Sequence, residues 1–127
     1  MRGQWVALTP EEWVRQHLIA HLVEDCGIPG GWLSVEREAR TGGGRYDVAV
    51  FDRGGVQRAV FECKAPSVRL SESVLFQAMQ YLQGPTLYVL GITNGMHHFY
   101  WLRPPGETTF RLHTRLPAEL SRWLKNA

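Results

Sequence analysis

At 127 residues, with 44% hydrophobic and 20% charged content, the chain has the size and composition of one folded domain, 1–127, and not those of a disordered chain. It has no apolar leader and no run near the ~18 apolar residues that cross a bilayer, and its two cysteines lack CxxC spacing. A cytoplasmic protein with free thiols and no membrane attachment is expected, and a net charge of +2 permits a nucleic-acid partner without requiring one.

In chain order, Thr9-Pro10-Glu11-Glu12 reads as a helix start: Thr as N-cap, Pro at the first helical position and Glu three residues after the cap. The helix runs from about 10 to 25, with Val14, Leu18, His21 and Leu22 on its inner stripe and Glu11 on the same side, and stops at Gly27 and Pro29-Gly30-Gly31. Residues 32–39, 45–52 and 56–65 read as three strands joined by short Gly-rich links, hence as antiparallel hairpins; Gly42-Gly43-Gly44 is a hairpin loop. A second helix spans about 71–83, from Ser71 as N-cap to Gly84-Pro85. "TLYVLGI" is an apolar strand, Asn94-Gly95 a tight turn and "MHHFYWL" its returning partner, followed by a short helix over about 117–125. The second helix is long enough for a right-handed crossover, which would make the strands before and after it parallel. A compact α/β sandwich follows.

The stretch "VFECKAP" holds two charges inside a strand that otherwise reads as buried. Side chains alternate, so Glu62 and Lys64 share a face, roughly 6.5 to 7 Å apart along the strand, while Phe61 and Cys63 face the other way. Asp47, in the preceding strand, can stand beside Glu62, where two carboxylates repel unless a cation lies between them. Asp47, Glu62 and the main-chain carbonyl of Cys63 form an all-oxygen donor set of the kind Mg²⁺ prefers. Lys64 supplies a compact, movable charge for the attacking water or the phosphorus. On the second helix Gln77 and Tyr81 are four apart and share a stripe with Val74 and Ala78, expected to face the sheet.

Other features read more plainly. His97 and His98 fall on opposite faces of one strand, one expected buried and one solvated. Cys63 has no Cys-His-Asn arrangement around it, and the five tryptophans read as packing anchors.

"RYDVAVFD", "VFECKAP" and "QAMQY", in that order, resemble the D, ExK and QxxxY motifs of the PD-(D/E)xK nuclease superfamily. Within it, "PEEWVRQ" and "TNG" look like the nuclease domain at the N-terminus of type I restriction enzyme R subunits. The resemblance covers about 8–102 and departs in having Tyr46 where the superfamily name has Pro. It implies a restriction-endonuclease-like αβββαβ core with a mixed central sheet flanked by helices, and cleavage of DNA phosphodiesters with Mg²⁺, or Mn²⁺ in its place. Asp47 and Glu62 would be metal ligands, Lys64 the catalytic lysine, Gln77 with Tyr81 the supporting motif, and Glu11 a further site residue, leaving Glu12 to cap the helix. No Walker A motif is present, which leaves open a motor or specificity subunit on another chain as partner, a solo nuclease or a relic; a homodimer is open as well. The alternative is a catalytically silent nucleic-acid-binding or assembly module of a restriction or defence complex.

Overall fold

The computed structural model describes residues 9–35, 46–81 and 84–127, so Trp5 and the Gly42–Gly44 loop lie outside the described residues. Thr9 caps α1 (Pro10–Ala20), its Oγ1 accepting the Glu12 N–H at 3.1 Å. The helix then widens into a π turn, His21–Asp25, and a 3₁₀ turn, Gly30–Trp32, leads into β1 (Leu33–Val35). β2 (Val48–Phe51) and β3 (Gln57–Cys63) complete an antiparallel meander, α2 (Glu72–Tyr81) crosses over, and β4 (Val89–Thr93) returns parallel to β3. β5 (His98–Leu102) and β6 (Arg111–His113) add antiparallel strands, and α3 (Leu120–Lys125) ends the chain. One six-stranded mixed sheet results, in the order β1-β2-β3-β4-β5-β6. The α/β class, the hairpins and the parallel crossover are those expected from the sequence.

Strand alternation divides the core in two. Val48, Val50, Ala59, Phe61, Val89 and Tyr100 meet Val14, Leu18 and Leu22 of the first helical segment and Leu120 and Leu124 of α3. Ala49, Val60, Leu90, Ile92 and Trp101 face α2, which buries Ala78 and packs Val74, Leu75 and Met79 against them. Gly91 is the close-packed point: a Cβ there would lie 2.4 Å from the Phe61 ring, which meets Tyr100 edge to face at 6.2 Å.

Several expectations need correction. The 32–39 strand pairs only over Leu33–Val35, and β6 was not foreseen. His97 and His98 are both exposed, because the strand begins only at His98, beside an open cleft. Trp101 is buried and Trp32 and Trp123 pack on the core, but Trp13 is 42% exposed, its ring against His17. No helix among the described residues is long and apolar enough to cross a membrane.

Candidate active site

The residues singled out on the strands meet at the ends of β2 and β3. Val48 pairs with Phe61, so Asp47, one residue before β2, falls level with Glu62. Its own N–H donates to the Phe61 carbonyl at 2.8 Å, and its Oδ2 accepts the Cys63 N–H at 2.6 Å. The carboxylate therefore takes the place of a main-chain partner where the ladder ends. On the other edge of β3 the Lys64 N–H donates to the Thr93 carbonyl of β4 at 2.8 Å. Consecutive amides thus point to opposite neighbours, which turns the main chain of Cys63, N–H and carbonyl alike, toward Asp47.

Glu62 lies on the α2 face and its Oε2 is 2.6 Å from Lys64 Nζ; the Glu62 side chain is 15% exposed and that of Lys64 34%. The thiol of Cys63 packs in the opposite layer beside Val48 and Phe61. Burial pushes that thiol well up, and the Asp47 charge adds to the effect, so it stays protonated.

From the other side comes α1. Arg15 Nη1 lies 3.5 Å from Asp47 Oδ1, while the rest of its guanidinium is paired with Glu12. Glu12, expected only to cap the helix, is thus tied into the site, while Glu11 is exposed. Burial raises the Asp47 carboxyl above its usual range; the Cys63 N–H and Arg15 oppose the rise, and the charges of Glu11 and Glu62 add to it. The charges of Glu11 and Glu62 thus both reach Asp47.

Gln77 is not where the sequence reading put it. Ala78 is the buried residue of that stripe and Gln77 is exposed, because α2 sets its small and apolar residues, not the amide, against the sheet. Tyr81 is the last residue of α2, and its side chain lies outside the described residues.

Among the described residues no three His, Cys, Asp or Glu side chains form a metal cage. Two carboxylates and a main-chain carbonyl nonetheless suit Mg²⁺, which usually keeps several waters and takes one or two carboxylates from the protein. The donors are all hard oxygens, and their crowded negative charge is what a cation would relieve. A separate cleft of about 630 Å³ opens between α1, the β4–β5 hairpin and residues 114–116, lined by His17, His21, His98 and Arg115 among others. Asp47, Glu62 and Lys64 lie outside that lining.

Two residues that sequence reasoning passed over hold this edge in place. Arg15 ties α1 to Asp47; its only signal in the sequence is its spacing from Glu11 and Glu12. Asn94, read as a turn residue, is buried, and its Nδ2 donates to the Val68 carbonyl at 2.8 Å, fastening the segment that follows Lys64.

No curated protein matches the chain. The family described as "Type I restriction enzyme R protein N terminus" matches residues 10–117, a span that takes in Glu11, Asp47, Glu62, Lys64, Gln77 and Tyr81. With that span and the mixed sheet built as the resemblance implies, the chain belongs to the family of type I restriction enzyme R protein N-terminal domains, components of restriction systems.

Proposed function

We propose that this domain hydrolyses DNA phosphodiester bonds with Mg²⁺, and with Mn²⁺ in its place. The observation that carries the reading is the level placement of Asp47 and Glu62 at one strand end, with Lys64 Nζ 2.6 Å from Glu62, in a chain of the restriction R protein N-terminal family. Asp47, Glu62 and the Cys63 carbonyl would hold the cation, which when bound supplies Lewis-acid charge at the phosphate. Lys64, held within reach by Glu62 and part exposed, orients the attacking water and balances the charge that grows on the phosphoryl oxygens. Cys63 contributes main chain only. Glu11 raises the negative charge facing the cation, and Gln77, exposed on α2, would meet substrate from the rim, with Tyr81 one turn on.

DNA is the proposed partner, with a motor or specificity subunit on another chain to deliver it. The test is cleavage of supercoiled plasmid in Mg²⁺, in Mn²⁺ and in EDTA by wild type and Asp47→Asn. Cutting by wild type alone, lost in EDTA, is expected; cutting that survives EDTA or the substitution would remove the metal site from the mechanism.

A further inference from the structure

Asp47 does not offer two equal oxygens. Oδ2 is fixed by the Cys63 N–H at 2.6 Å, whereas Oδ1 has Arg15 Nη1 at the longer distance of 3.5 Å. Arg15 is itself divided, with its Nε 3.4 Å from Glu12 Oε2 and Nη2 paired to Glu12 Oε1. Lys64, the other cation at this edge, is 2.6 Å from Glu62. Among the described residues Arg15 is therefore the cation that faces Asp47, against the carboxylates of Glu11 and Glu62. A divalent ion arriving at Oδ1 would meet the guanidinium at close range, and like charges a few ångströms apart with 12% side-chain exposure at Arg15 are poorly screened.

Resting on the metal-site reading above, we propose that Arg15 is a resident counter-ion which holds Asp47 in place and must give way when a divalent cation binds, with Glu12 drawing Arg15 aside and so setting how readily the cation enters. Arg15 is on this account a positioning residue. It tunes occupancy of the site and touches neither substrate nor the reacting atoms.

Two opposite substitutions follow. Arg15→Gln removes the competitor, so Mn²⁺ should bind more tightly, by about fivefold, the upper end for a part-exposed ion pair. Glu12→Gln removes the charge that draws Arg15 away from Asp47, so Mn²⁺ should bind more weakly, by about threefold. Arg15→Lys, which keeps the charge but loses the two-point hold on Glu12, should fall between wild type and Arg15→Gln. The readout is the free Mn²⁺ signal in electron paramagnetic resonance, titrated into the full 127-residue chain, with Asp47→Asn as the control that loses the site. Mn²⁺ affinity in folded Arg15→Gln equal to or below wild type, while Asp47→Asn abolishes binding, would overturn the role of Arg15 and leave the metal site standing. Should Arg15→Gln fail to fold, unchanged or tighter binding by Glu12→Gln overturns it instead. Absence of Mn²⁺ binding in wild type and Arg15→Gln alike would bring down both readings.

Discussion

Asp47 and Asp52 bracket the same strand and are held in opposite ways. Asp52 is buried, and burial alone would raise its carboxyl; the pair to Arg58 Nε at 2.7 Å and the N–H groups of Val56 and Gly54 outweigh this and hold it below the usual range. A carboxyl whose pKa is lowered on folding adds stability above its unfolded pKa of ~3.9, and loses it as pH falls through the folded value. Asp52→Asn should therefore cost about 2 to 4 kcal/mol at pH 7 in urea melts, by leaving Arg58 without its carboxylate, and the gap to wild type should narrow below about pH 4. A gap independent of pH would mean the ionised pair is not what Asp52 contributes. Asp47 has the reverse sign. Its raised carboxyl means that ionising it costs stability once pH passes the unfolded value, so the cation-free protein carries that cost at neutral pH. Asp47→Asn, which can still accept the Cys63 N–H, should melt at or above the wild-type temperature in EDTA at pH 7.5 while losing Mg²⁺-dependent cleavage. A clear fall in melting temperature would recast Asp47 as a structural residue.

Among the elements, the hairpin between β4 and β5 is most closely tied to the site. Gly95 has φ +87°, a conformation other residues adopt only under strain, and an added Cβ would lie 3.0 Å from the Trp13 ring. Thr93 Oγ1 accepts the Gly95 N–H, Asn94 Oδ1 accepts those of Met96 and His97, and Asn94 Nδ2 reaches across to Val68. Asn94→Ala would strip partners from these groups, lower stability by about 2 to 3 kcal/mol and free the segment after Lys64. Hydrogen exchange should show faster opening at 65–70 in the variant, with cleavage lowered; unchanged exchange there would leave Asn94 a plain turn former. The hairpin was legible because Asn-Gly is a local signal, as were the Thr9-Pro10 helix start and the crossover, which follows from element order. The π turn at 21–25 leaves no mark on the apolar pattern, and β6 is three exposed residues with no alternation to read. Gln77 misled for a related reason: an i, i+4 partner shares a stripe, but a stripe has edges, and the neighbouring Ala78 took the buried centre. The Arg15–Asp47 contact spans 32 residues and could not be read from spacing, since only the tertiary fold sets it.

Across the whole molecule, the sheet order sets β2 and β3, whose ends hold Asp47, Glu62 and Lys64, between β1 and β4, with α1 and α3 on one face and α2 on the other. The parallel pair β3 and β4 ends beside the β4–β5 turn, so the site sits at the carboxyl end of that pair. That the Asp, Glu and Lys were readable from "RYDVAVFD" and "VFECKAP" follows from their contrast with the apolar strands around them; the residues that hold them were not, because their partners are distant in sequence. The most direct measurement is the single-turnover rate of DNA cleavage at saturating Mg²⁺ for Lys64→Ala against wild type, with melting curves for both. A Lys64 that stabilises charge in the transition state predicts a loss of roughly 10²- to 10³-fold with little change in melting temperature. Equal rates in the two proteins, or a wild type that binds DNA and never cuts it in Mg²⁺ or Mn²⁺, would contradict the assignment and leave a silent binding module in its place.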